Sequence, residues 1–143
     1  MKEQEKLLPP NRYKELLRKV DLDQINLVEC SAKLRRERFV VKELTVIITD
    51  KAKIELVKDN SANILHTYSL IATKGSKRDY ALKINCTFVV ILSSSEVLTE
   101  EFLTTYIEIN LKMITWPYFR EFVQSISSRM NIPSLTLPFI KTP

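Results

Sequence analysis

The segment from Tyr80 to Leu92 constrains this chain more than any other. Tyr80, Leu82, Ile84, Cys86, Phe88, Val90 and Leu92 occupy every second position, and Lys83, Asn85 and Thr87 stand between them. A period of two puts the apolar side chains on one face of an extended strand and the polar ones on the other. A strand of this kind needs partner strands and a second layer over its apolar face.

The partners lie upstream. Ile64, His66, Tyr68, Leu70 and Ala72 form a second alternating face, and Lys74-Gly75-Ser76-Lys77, which holds the chain's single glycine, supplies a hairpin turn. Leu44, Val46 and Ile48 alternate, and Ala52, Ile54 and Leu56 continue in the same phase, which predicts one long strand or two in line. From Asp23 onward, Ile25 and Leu27 run in one phase and Val28, Cys30, Ala32 and Leu34 in the other, so this strand is expected to be bulged. The basic stretch from Lys33 to Lys42 interrupts the pattern with Arg35, Arg36 and Arg38 around Phe39 and reads as an exposed crossing loop.

Helical spacing flanks the strands. After Pro9 and Pro10, Asn11 is a candidate cap, and Tyr13, Leu16, Leu17 and Val20 predict a short amphipathic helix over 11–20. Thr99 followed by Glu100 and Glu101 predicts a second helix start. A break is expected near Asn110, then a longer helix with Phe119, Phe122, Val123, Ile126 and Met130 on one arc and Pro117 in its first turn or at a kink. The prolines after Asn131 make the rest an extended tail. The expected fold is α+β: a four-stranded antiparallel sheet covered by a long C-terminal helix, with a short N-terminal helix. It is one domain over 1–143, with 1–10 flexible and 131–143 extended.

Composition narrows the function. With 45% hydrophobic and 27% charged residues the chain should fold, and its net charge of +5 is modest. No run approaches the length of a membrane span or signal-peptide core, and the two cysteines form no CxxC, so a reducing cytoplasm fits. One glycine cannot build a P-loop or a dinucleotide fingerprint. The sole histidine, His66, lies in mid-strand, where a structural role is the simpler reading, so no enzyme, cofactor or metal site is expected. Arg35, Arg36 and Arg38 beside Phe39 leave a nucleic-acid-binding module as the alternative, though Glu37 and Glu43 dilute the charge.

The last third is the most specific: Trp116-Pro117-Tyr118-Phe119-Arg120-Glu121, then Ser125, Ser128-Arg129, Pro133, Leu135 and Leu137. The pattern P-Y-x-R-E, S-x-x-S-R and P-x-L-x-L resembles the SecB family of export chaperones. That resemblance implies an ATP-independent holdase of unfolded polypeptides, assembled as a dimer of dimers and serving protein export or antitoxin protection. On this chain the implied apolar groove is lined by Phe39, Val41, Leu44, Val46, Trp116, Tyr118, Leu135, Leu137 and Phe139. Two departures qualify it. Familiar members are acidic and end in a further helix and acidic tail that dock the SecA motor, whereas this sequence is basic and stops at Pro143, which argues against SecA docking. The added helix over 11–20 looks more like SecB-like chaperones that accompany toxin–antitoxin pairs and hold an antitoxin.

Overall fold

The computed structural model describes residues 7–133 together with Leu135 and Leu137, and at Val41 the backbone only. Phe139 and residues 1–6 of the stretch expected to be flexible lie outside the described residues.

Four antiparallel strands, β1 (Val20–Leu34), β2 (Thr45–Lys58), β3 (Ser61–Thr73) and β4 (Tyr80–Ser94), form one sheet in the order β1-β4-β3-β2. The strand that alternates most clearly, β4, lies between β1 and β3, so β1 and β2 are the edges. Along β3, Ala62, Ile64, His66, Tyr68, Leu70 and Ala72 are buried and the residues between them half-buried, as the period of two predicts.

The phase slip in β1 has a structural purpose. Register shifts fall between Leu22 and Gln24 and between Leu27 and Glu29. Each extra residue resets the alternation. Leu22, Ile25, Leu27, Cys30, Ala32 and Leu34 then all stand opposite Leu92, Val90, Phe88, Cys86, Ile84 and Leu82, on the face of β4 that carries the core. A similar shift in β2, between Ile54 and Leu56, corrects the expectation that Leu56 stays in phase. Leu56 pairs with Asn63, and Val57 instead faces the level of buried Ala62.

The helical layer differs from expectation at both ends. The first helix, α1, is Pro10–Leu17, with Pro9 at its cap and Pro10 in its first turn, so Asn11 is not the cap. It stops before Val20 because Val20 already pairs with Ser94. The long helix does not break at Asn110: α2 (Glu100–Tyr106) passes through a π turn at Ile107–Leu111 into α3 (Lys112–Arg129) with right-handed backbone at each junction. Thr99 caps it as predicted, its side chain accepting from the Phe102 N–H at 3.1 Å. Pro117 lies well inside this continuous helix, on its exposed side, and cannot donate to the Met113 carbonyl.

Two apolar clusters glue the layers. One joins Tyr68, Leu70, Leu82, Ile84, Phe88, Trp116, Phe119 and Val123, and the other joins Tyr13, Ile64, Val90, Leu92, Phe102, Leu103 and Tyr106. The Phe119 ring stacks on Tyr68 at 4.6 Å between centroids. Toward the N-terminus, Leu8 donates its N–H to Thr105 Oγ1 at 3.0 Å and Tyr13 donates its hydroxyl to Asn110 Oδ1, which ties α1 to the π turn.

Candidate functional site

The crossing loop carries the chain from edge strand β1 to edge strand β2 past the β3–β4 hairpin, in two short 3-10 turns, Arg36–Arg38 and Val41–Glu43. Its arginines do structural work. Arg35 donates its backbone N–H to the Ala81 carbonyl at 2.8 Å and its guanidinium to the Arg78 carbonyl at 3.1 Å, and the same group lies 4.1 Å above the Tyr80 ring. Arg36 donates to the Met130 carbonyl at 2.7 Å, latching the loop to the end of α3. Arg38 pairs with Asp79 at 3.8 Å. The basic cluster that suggested nucleic acid is therefore engaged in holding the loop.

That latch lays Phe39 and Leu44, both half-buried, against the cluster around Trp116 and Phe119. Next along β2, Val46 stands opposite buried Ala72, yet is 41% exposed on this edge strand. Ile48 is half-buried beside it. Arg120 Nε donates to the Leu137 carbonyl at 2.8 Å and so holds the tail on its own flank of α3. Leu135 is half-buried there, and Leu137 is only 5% exposed.

The expected groove residues thus separate. Trp116 is 8% exposed, packed 5.7 Å from Tyr68 and 5.9 Å from Phe119, and with Leu137 it belongs to the core rather than to an open surface. Tyr118 is 50% exposed but projects from the flank nearly opposite Arg120, two residues away along the helix. Its ring lies 6.3 Å from Phe88, on the side of β1, where Leu22 and Leu27 are also exposed on the helix-facing side of the sheet. Val41's side chain and Phe139 are outside the described residues. The sequence reading missed Val40, exposed in the loop, and the β1 strip of Leu22 and Leu27. The phase slip was the available signal for the strip, since a strand that resets its alternation is keeping an apolar face in line.

Beyond Ile48 the β2 flank turns polar. A cleft of about 560 Å³ lies between β2 and the long helix, lined by Asp50, Lys51, Ala52, Ile54, His66, Glu100, Thr104, Ile107, Glu108, Leu111 and Lys112. His66 forms its floor. Its Nε2 lies 2.8 Å from Asp50 Oδ2 and its Nδ1 2.8 Å from Thr115 Oγ1, while Lys112 pairs with Asp50 Oδ1 at 3.1 Å. Burial lowers the His66 pKa, more than the Asp50 hydrogen bond and charge raise it. Burial also opposes ionisation of Asp50, but the hydrogen bonds and charges of His66 and Lys112 together outweigh it and hold the carboxyl below its usual range. A carboxylate only accepts, so neutral His66 carries its proton on Nε2, and Nδ1 accepts from Thr115, whose one proton is shared with the Leu111 carbonyl at 3.1 Å and whose oxygen accepts from the Tyr68 hydroxyl at 2.7 Å. Thr115, His66 and Asp50 are arranged as nucleophile, base and orienting acid would be. Thr115 is fully buried, however, and offers no approach to a substrate. The network fastens β2 and β3 to α3.

No group of histidine, cysteine and acidic residues among the described residues is arranged to hold a metal ion. No helix among them is long and apolar enough to cross a membrane.

Sheet order, long covering helix, crossing loop and short leading helix together define a SecB-like fold. The SecB-like chaperone Rv1957 of Mycobacterium tuberculosis, solved with a ChAD peptide from the Rv1956 HigA1 antitoxin, superposes with a TM-score of 0.79 at 20% identity, covering 92% of this chain and 99% of that one. A protein of unknown function from Streptococcus agalactiae aligns with a TM-score of 0.49 at 13% identity, over 84% of this chain and 97% of that one. No family model matches the chain, and no curated protein sequence does. The first likeness shows the fold that the C-terminal motif led one to expect.

Proposed function

We propose that this chain is an ATP-independent holdase that binds unfolded or aggregation-prone polypeptides along its β2 flank. The observation that carries the reading is a set of incompletely covered apolar side chains there, exposed Val46 and half-buried Ile48, Phe39, Leu44 and Leu135, the last four packed against the Trp116–Phe119 cluster, which we read as a furrow. Apolar client surface laid into it gains about 25 cal/mol per Å² without demanding a sequence. β2 is an edge strand, so an extended client backbone can also pair with its outer rim. Trp116 and Leu137 form the floor beneath this furrow and act by supporting it. The polar cleft around Asp50 and Lys112 continues the same flank and suits charged residues of the client.

The fold it shares with a chaperone solved on an antitoxin peptide supports an antitoxin as the client, and the resemblance of the C-terminal motif to export chaperones supports an exported precursor held in the cytoplasm as the alternative. The apolar strip of Leu22, Leu27 and Tyr118 on the β1 side supports assembly of the chain with itself, as the dimer of dimers implied by the motif.

The test is suppression of aggregation of a reduced, unfolded model protein. Val46→Asp should weaken suppression several-fold with the melting temperature unchanged, whereas Tyr118→Asp should alter the mass in light scattering more than client capture. Full suppression by Val46→Asp would sink the furrow, and a monomer mass for the unsubstituted chain would sink the assembly. Binding that falls steeply with salt would point to nucleic acid instead.

A further inference from the structure

Cys30 and Cys86 are the two cysteines of the chain and stand far apart in sequence, yet the β1–β4 register sets them directly opposite each other. Residues opposite each other in an antiparallel pair project to the same face, with Cα atoms about 4.5–5.5 Å apart. That lies inside the span of about 4.4–6.8 Å that disulfides require. The alignment depends on the irregularity after Leu27. Without the extra residue, Cys30 would fall opposite Asn85 and turn to the other face of the sheet. The two thiols differ in access, Cys30 being exposed and Cys86 buried in the core cluster. Burial, and after it the charge of Cys30, pushes the Cys86 thiol up to about 12, which agrees with their proximity.

We propose that Cys30 and Cys86 form a reversible cross-strand disulfide, with exposed Cys30 as the entry thiol for a small-molecule disulfide such as oxidised glutathione and Cys86 as the resolving thiol. The Cys30 thiolate attacks one sulfur of oxidised glutathione, the glutathione S–S bond breaks, and one glutathione thiolate leaves. Cys86 then releases its proton to water and attacks Cys30 Sγ, and the second glutathione leaves as thiolate. The protein pair gives up two electrons, and one small-molecule disulfide becomes two thiols. Small-molecule disulfide cannot reach buried Cys86 first, which fixes the order of the two steps. The bond pins edge strand β1 to β4 at a single register, beside the exposed strip of Leu22 and Leu27.

The experiment treats the full chain with oxidised glutathione, alkylates the remaining thiols, and reads intact mass and tryptic peptides. The expected result is loss of both alkylatable thiols together, with peptides 20–33 and 84–112 linked, reversed by reductant. Cys86→Ala should stop at one glutathione on Cys30, and Cys30→Ser should take up none. The proposal is overturned if the unsubstituted chain retains glutathione on Cys30 as fully as Cys86→Ala does, or if two chains become joined through Cys30. Because Cys86→Ala removes core volume, the peptide linkage in the unsubstituted chain decides the matter whether or not that variant folds.

Discussion

Replacing Trp116 by alanine separates a core tryptophan from a client-facing one. An indole buries up to about 250 Å². At 8% exposure almost all of that is withdrawn from water, worth up to ~6 kcal/mol at about 25 cal/mol per Å². Large-to-small substitutions of this kind cost about 3–5 kcal/mol, because Tyr68 and Phe119, at 5.7 and 5.9 Å, collapse only partly into the space. A domain of this size loses roughly 2–4 °C of Tm per kcal/mol, so Trp116→Ala should melt about 10 °C lower. Tyr118→Ala is the control. With half its surface already in water, its loss should stay below ~2 kcal/mol, reduced further by rotamer freedom that folding no longer restricts. Thermal unfolding followed by circular dichroism measures both. A Trp116→Ala protein that melts with the unsubstituted one, or at a temperature no lower than Tyr118→Ala, would refute burial of the indole and return Trp116 to the surface.

Three further outcomes follow from other parts of the fold. His66 has a lowered pKa when folded, so the unfolded chain takes up its proton first as pH falls. Stability is complete above the ordinary histidine value of 6.5 and declines below it, and urea midpoints should drop between about pH 7 and pH 5 and flatten in His66→Gln. Asp50, also lowered, keeps its contribution until the pH passes below its ordinary carboxylate value of 3.8, so its loss appears as a separate, more acidic decline. Gly75→Ala should be neutral or stabilise by about 0.4–1 kcal/mol in denaturant titration, because Gly75 does not use a positive φ and an added Cβ meets nothing within 4 Å. A marked loss would show that the turn needs glycine after all.

The strands, the crossing loop, the Thr99 cap and the arc of Phe119, Val123 and Ile126 were legible in the residues, because periodicity and capping are local properties of the chain. Even the slip in β1 could be read as a bulge. The groove was less legible. Sequence marks Val46 and Trp116 alike as apolar, and only the tertiary arrangement, with Val46 on an edge strand and Trp116 in the core cluster between helix and sheet, leaves the one exposed at 41% and the other at 8%. Likewise, in place of the break expected near Asn110, a π turn continues the helix, and Asn110 accepts from the Tyr13 hydroxyl.

What the amino-acid order determined by itself is therefore the set of elements and the face each one buries, since alternation and helical spacing act between neighbours in the chain. Tertiary structure alone decided which buried faces remain partly open, that His66 meets Asp50 and Thr115, and that Cys30 meets Cys86. Those outcomes depend on register and on how far one layer extends over another, and they join residues whose separation in sequence carries no information about their distance in space.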